Sequence, residues 1–255
     1  MAAAVGNPVS DILLIEQELS AELMTLSYAP KVKYLYNPIH YAVVPHLQYL
    51  QMFCSQLPKP LMMLGMNPGP WGMAQTGVPF GHVNTVRDWL GIQGEVSKPA
   101  SEHPKKPVQG FLCTRSEVSG ERLWGLLKQL SGGDASTLAA SVLLYNYCPL
   151  MMLADSGANI TPADLKAGER KELESACNSS LVRTVSLLGV QDIIAVGNYT
   201  YDRTRAALKQ SLPHVKVHKL LHPSPRSPAA NRDWAGAAYL QLRNADLLRY
   251  FDVHN

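Results

Sequence analysis

The 255-residue chain has no paired cysteines. Its four, Cys54, Cys113, Cys148 and Cys177, lie far apart and form no CxxC. This argues against a zinc or iron–sulfur site made from local pairs and against a disulfide framework, leaving buried free thiols as the expectation. No stretch approaches the roughly 18 uncharged apolar residues of a membrane span. The opening MAAAVGNPVSDILL has neither the basic start nor the long apolar run of a secretory signal, so neither membrane insertion nor export is expected. There is no GxxxxGK[ST] phosphate cradle and no GxSxG elbow, which excludes P-loop chemistry and makes an α/β-hydrolase triad unexpected. Charge is sparse as well. Only 17% of residues are charged against 46% hydrophobic, the balance of a globular chain with a sizeable core. The net charge of +3 is a mild basic bias, compatible with a polyanionic partner.

What is present reads as helices alternating with short apolar runs. Ser10 is placed to cap a helix carrying Ile12, Ile15, Leu19, Leu23 and Leu26 at helical spacing. A second helix is expected from near Pro45 to Cys54. LMMLGM (61–66), SVLLYNY (141–147) and QDIIAVG (191–197) read as strands buried on both faces, and VKVHKLL (215–221) as a fourth strand. Between them the pattern predicts a short helix through Val83, Val86, Trp89 and Leu90, and helices over 119–130, from Thr161 to Leu188, over 199–210 and from Asn231 to Leu248. Residues 93–118, with the cluster HPKKP, read as an irregular, solvated surface excursion. The fold class is therefore α/β: a three-layer α/β/α sandwich with a central, mainly parallel four-stranded sheet. The whole chain, 1–255, is read as one domain, with residues 1–30 as an N-terminal helical extension.

Ligands of such open sheets sit beyond the carboxyl ends of the strands. Those ends carry Asn67, Asn146, Gly197 and His222, so three polar side chains far apart in sequence are expected to meet in one crevice. Taken singly, Asn67 before Pro68 is an ordinary turn start, and a strand-end histidine is an ordinary structural hydrogen-bonder. His214, His218 and His222 would share a metal if helical. On a strand, four residues span about 13 Å, so no metal site is expected. The 18 residues LGMNPGPWGMAQTGVPFG (64–81) contain five glycines, three prolines and no charge. They are too long and too rigid for an ordinary connector and are suited to enclose something flat and neutral.

GMNPGPWGMAQTGVPFG, with YNYCPL at 145–150 and HPSPRSP at 222–228, resembles the single-strand-selective monofunctional uracil-DNA glycosylase family of the uracil-DNA glycosylase superfamily. The resemblance runs over roughly residues 30–245. It implies a DNA repair enzyme that flips uracil, and C5-modified uracils such as 5-hydroxymethyluracil, out of single- or double-stranded DNA and hydrolyses the N-glycosidic bond. No cofactor, a monomeric state and a nuclear location go with it. By resemblance, Asn67 positions the attacking water and His222 donates to uracil O2. Asn146 reads the base edge and Phe80 stacks on the ring. The backbones of Met66 and Gly69, with the Met73 side chain, wall the pocket near C5. Arg226 acts as a wedge in the vacated stack, and Ser224 and Ser227 contact DNA.

The chemistry agrees with the residues. Common glycosidases use two carboxylates, but no Asp or Glu lies between Gly65 and Gly81 or between His222 and Pro228. Charge must then be met by neutral or cationic donors. Neither loop contains a lysine, so a Schiff-base lyase step is not expected. Two other readings stay open at this point: a catalytically silent binder of damaged DNA, and an α/β hydrolase of free nucleosides.

Overall fold

The computed structural model describes residues 6–28, 30–225, 228 and 230–251. Helix α1 (Pro8–Thr25) starts three residues earlier than the Ser10 cap would have it. Pro8 takes the first helical turn and Asn7 is the cap, its Oδ1 accepting the Val9 N–H at 3.1 Å. Ile12, Ile15, Leu19 and Leu23 face inward. Strand β1 (Tyr34–Tyr36) and the single turn α2 (Pro38–Tyr41) lead into α3 (Val43–Cys54), with Pro45 in its first turn.

Strand β2 (Leu61–Gly65) then enters the core. The uncharged loop follows, broken by one turn of helix, α4 (Met73–Thr76). The expected helix after it is a short π-helical segment over Thr85–Trp89. Helix α5 (Val118–Leu130) follows the irregular excursion. Helix α6 (Ala135–Ser141), capped by Asp134 through the N–H groups of Ser136 and Thr137, escaped the sequence reading. Its seven residues are rich in Ser and Thr and too short to show a period. Strands β3 (Val142–Asn146), β4 (Met151–Leu153) and β5 (Asn159–Ile160) come next.

The helix start expected at Thr161 is only a 3₁₀ turn over Pro162–Asp164, whose Asp164 accepts the Thr161 N–H at 2.9 Å. The long helix α7 (Ala167–Leu188) begins afterwards, with Glu169 accepting the Lys166 N–H. Strand β6 (Asp192–Val196), α8 (Asn198–Ser211), β7 (Lys216–Leu220) and α9 (Ala230–Asn244) complete the order. Helix α9 is kinked at Asp233 and stops short of the expected end; residues Leu248–Tyr250 form a separate 3₁₀ turn.

Four strands form one parallel sheet in the order β3-β2-β6-β7. Every residue of β2, β3 and β6 is buried. Since alternate side chains point to opposite faces, such strands must be covered on both. The α/β sandwich with a four-stranded parallel sheet is the observed architecture. A small antiparallel sheet, β1-β4-β5, lies beside it and was not foreseen, its strands being only two or three residues long. All four cysteines are buried and free.

Helix α1 is more than an appendage. Val9, Ile12, Leu19 and Leu23 belong to the main core, and its Glu16 reaches His46 of α3 at 2.7 Å in a fully buried pair. The other ring nitrogen of His46 meets the Gly77 carbonyl at 2.8 Å. The Gly77 carbonyl requires a proton on Nδ1, and the Glu16 carboxylate favours a second on Nε2. Burial alone would lower the pKa of His46, but the Glu16 carboxylate and the Gly77 carbonyl together raise it. The buried Glu16–His46 pair thus ties the N-terminal helix to the far end of the uncharged loop.

Candidate active site

Strands β2 and β3 end in register, Gly65 beside Asn146. The ladder continues one step further: Tyr147 N–H donates to Gly65 O and Cys148 N–H to Met66 O, both at 2.9 Å. The start of the uncharged loop is thereby fixed to the end of β3. Gly65 is required at this point. A Cβ there would lie 2.5 Å from both Asn146 Oδ1 and Phe80 Cζ, so only glycine lets the amide and the ring close over the strand end. Phe80 has a left-handed φ of 56°, rare for an aromatic residue. Trp124 holds the residue before it, donating from Nε1 to Pro79 O at 3.2 Å.

A cavity of about 490 Å³ opens at these strand ends, inside the range of roughly 300–1,000 Å³ usual for small-molecule sites. Asn67, Asn146 and His222 all line it, as do Met66, Gly69, Met73, Phe80 and Ser224. Every described residue expected at the site is therefore there. Arg226 and Ser227 lie outside the described residues. Gly197, the fourth strand end, is not in the wall but packs against the His222 ring.

Each polar group is held in a definite state. Ser224 N–H donates to His222 Nδ1 at 3.0 Å, so Nδ1 is an acceptor and the proton of the neutral ring sits on Nε2. Burial lowers the pKa of His222 and favours that neutral form. Asn146, only 7% exposed, directs Nδ2 to the Met73 sulfur at 3.0 Å, a weak acceptor that fixes the amide's orientation. Asn67 Nδ2 makes long contacts, 3.4 Å, to Pro68 O and Leu150 O. Its Oδ1 accepts nothing among the described residues and can hold a water.

The sequence reading missed one feature. The two loops carry no carboxylate, yet Glu117 and Asp164 line the cavity. Glu117, at the start of α5, lies flat on Gly69, where any Cβ would collide with its carboxylate, and accepts the Trp71 N–H at 3.2 Å. Its pKa is raised by burial, against the lowering influence of the Trp71 N–H and Lys106. A single acid ahead of an amphipathic helix gives no sign in sequence that it faces a loop 46 residues away. Among the described residues no cluster of His, Cys, Asp or Glu is arranged to hold a metal, and no helix is long and apolar enough to cross a membrane. His218 is engaged elsewhere, with Asp192 at 2.7 Å.

Comparison with known proteins agrees with this geometry. The single-strand selective monofunctional uracil-DNA glycosylase of Rattus norvegicus is 51% identical over 252 residues, spanning 97% of this chain and 90% of the relative. Its counterpart from Bos taurus is 48% identical over 233 residues, spanning 91% and 85%. The crystal structure of wild-type Pedobacter heparinus SMUG2 superposes with a TM-score of 0.63 over 93% of this chain and 96% of the other, at 15% identity, so it shares the fold. Residues 52–248 match the Uracil DNA glycosylase superfamily, and the chain belongs to that superfamily.

Proposed function

We propose that this chain is a DNA repair glycosylase that draws uracil out of DNA, hydrolyses its N-glycosidic bond and leaves an abasic site. The observation that carries the proposal is the meeting of Asn67, Asn146 and His222, from three separate strand ends, in one cavity walled by Phe80. Proteins named as uracil-DNA glycosylases and about half identical to this chain support it. Neither a silent binder nor a nucleoside hydrolase has such support.

The residues divide the work by chemistry. Uracil presents an acceptor at O4 and a donor at N3. Asn146 answers with Nδ2 and Oδ1, and its nitrogen lies on the Met73 side, which suits a base whose C5, next to C4–O4, faces Met73. Phe80 stacks on the ring, a contact worth about 1–3 kcal/mol. As the glycosidic bond breaks, negative charge grows on uracil O2, and the Nε2–H of neutral His222 donates to it without proton transfer. Asn67 Oδ1 holds the water that completes the oxocarbenium sugar. Gly69 and Met66 close the C5 side, where a substituent such as hydroxymethyl would lie. Arg226 fills the vacated stack, with Ser224 and Ser227 on the backbone. The enzyme acts as a monomer in the nucleus.

Lys106 lines the cavity, but its ammonium rests on the Trp71 ring, 4.8 Å from the centroid, and the reaction ends at the abasic site. One assay tests the whole proposal: single- and double-stranded oligonucleotides with one uracil, incubated with the protein and then treated with hot alkali. Cleavage only after alkali is expected. Cleavage without alkali, or a borohydride-trapped protein–DNA adduct, would make the enzyme a lyase. A shifted but uncut oligonucleotide would make it a binder.

A further inference from the structure

The irregular excursion over 93–118 holds the strongest unexplained feature outside the base pocket. Two of its cations flank one aromatic residue at the cavity lip. Lys106 Nζ is 4.8 Å and Arg115 Cζ 4.3 Å from the centroid of the Trp71 ring. The excursion is pinned rather than loose. Tyr36 donates to Lys106 O at 2.8 Å and accepts the His103 N–H at 2.7 Å. Buried Gln75, on the pocket loop, donates to Pro107 O at 3.0 Å and accepts the Gln109 N–H at 2.8 Å. The Lys106 side of the pair is thus fixed relative to the pocket, and the lining residue Trp71 carries Arg115 beside it.

Those positions are electrostatically unbalanced. Among the described residues neither Lys106 nor Arg115 has a carboxylate oxygen within 4 Å. Glu117 acts on Lys106 through its charge but makes its hydrogen bond to the Trp71 N–H. Burial first and Arg115 second lower the pKa of Lys106, and the opposing influence of Glu117 does not offset them. A guanidinium stacked on a ring keeps its in-plane N–H donors available for oxygen ligands.

We infer that Lys106 and Arg115, braced on Trp71, form a clamp for a backbone phosphate of the DNA strand next to the flipped nucleotide. The inference rests on the proposed reading of the cavity as a pocket for a base in DNA. A phosphodiester at the lip would carry the charge the pair lacks, while Glu117 below keeps the phosphate out of the neutral base pocket. The HPKKP cluster, a solvated loop on its sequence alone, supplies one jaw, and the CTR segment (113–115) supplies the other.

The test is the salt dependence of binding to an oligonucleotide carrying a tetrahydrofuran abasic analogue, which cannot be cleaved. Each phosphate contact adds about 0.7 to the slope of log affinity against log salt for single strands and about 0.9 for duplex. Lys106→Ala and Arg115→Ala should each reduce the slope by roughly that amount. Lys216→Ala, at an exposed position on the opposite end of the sheet, should not change it. A neutral methylphosphonate is then walked through the phosphates flanking the analogue. One position should weaken wild-type binding and lose its effect in the Lys106→Ala/Arg115→Ala double variant. Unchanged slopes, or a methylphosphonate effect that persists in the double variant, would overturn the clamp. Arg115 is exposed and its variant should fold, so it carries the test alone if Lys106→Ala does not. A wild-type protein without uracil excision would sink the proposed function; normal excision with unchanged slopes would sink only the clamp.

Discussion

The Ser224 N–H donates to His222 Nδ1 at 3.0 Å, and this contact decides which proton the histidine can offer. With Nδ1 an acceptor, the neutral ring donates from Nε2 and needs no positive charge to do so. His222→Leu should therefore lower single-turnover excision by about 10²–10³, the usual loss on deleting one donor to a developing anion, with DNA binding largely kept. The pH profile gives an independent check. Burial lowers the pKa of His222, so the neutral, active form persists to more acid pH than an exposed histidine, near 6.5, would allow. Single-turnover rates should stay level as pH falls through 6.5 and drop only below it. A rate that rises with acid would show imidazolium to be the donor and overturn this assignment.

In the proposed reaction Asn67 offers the attacking water one acceptor, Oδ1, while its nitrogen makes long contacts to Pro68 O and Leu150 O. Asn67→Ala removes that acceptor and nothing that the flipped base touches. Excision should fall by about 10² or more, with the affinity for an abasic-analogue oligonucleotide within a few-fold of wild type. An unaltered rate refutes the role.

Legibility followed burial. Strands β2, β3 and β6 are legible because each is an apolar run bounded by turn residues, β7 with its exposed Lys216 and Lys219 is a weaker one, and their order along the chain brings Asn67, Asn146 and His222 to one rim. What escaped notice depends on contacts distant in sequence. Strands β1, β4 and β5 are too short to carry a period. Thr161 resembles the cap of a long helix, but its bond to Asp164 closes only one 3₁₀ turn. Glu117 is a solvated charge on any local reading, and only the fold presses it onto Gly69. Glu16 lies on the inward face of α1 among apolar residues, an anomaly visible in the sequence whose partner, His46, is not.

That buried pair predicts a coupling between α1 and the base pocket. Glu16→Gln leaves His46 without its counter-charge and should cost about 3–5 kcal/mol, the usual loss on breaking a buried pair. It should also slow excision, because His46 anchors Gly77 in the pocket loop. The pKa of folded His46 is raised, so the pair's stabilisation is fully present below the unfolded value near 6.5 and is lost as pH rises through the folded one. In urea unfolding, the gap between wild type and variant should be widest below pH 6.5 and narrow on the alkaline side. A gap independent of pH would show that His46 is not charged in the folded protein.

The sharpest prediction concerns Asn146, whose amide is oriented by Met73 Sδ at 3.0 Å. Uracil offers an acceptor at O4 and a donor at N3; cytosine offers a donor at N4 and an acceptor at N3. An amide held with its nitrogen toward Met73 matches the first pattern and leaves buried groups unpaired with the second. Mismatches of that kind support discrimination of about 10⁴. Asn146→Asp replaces the donating nitrogen with an oxygen. Uracil O4 then meets a carboxylate oxygen and is repelled, while the cytosine N4 amino group gains an acceptor. The variant should lose most activity on uracil and acquire weak activity on cytosine, stronger at low pH, where the protonated acid can also donate to cytosine N3. Cleavage of matched uracil- and cytosine-containing single strands across about pH 5.5 to 8 measures both effects. Undiminished uracil excision by Asn146→Asp would mean that this side chain does not read the base, and discrimination would then have to come from the backbone groups of the loop beginning at Met66.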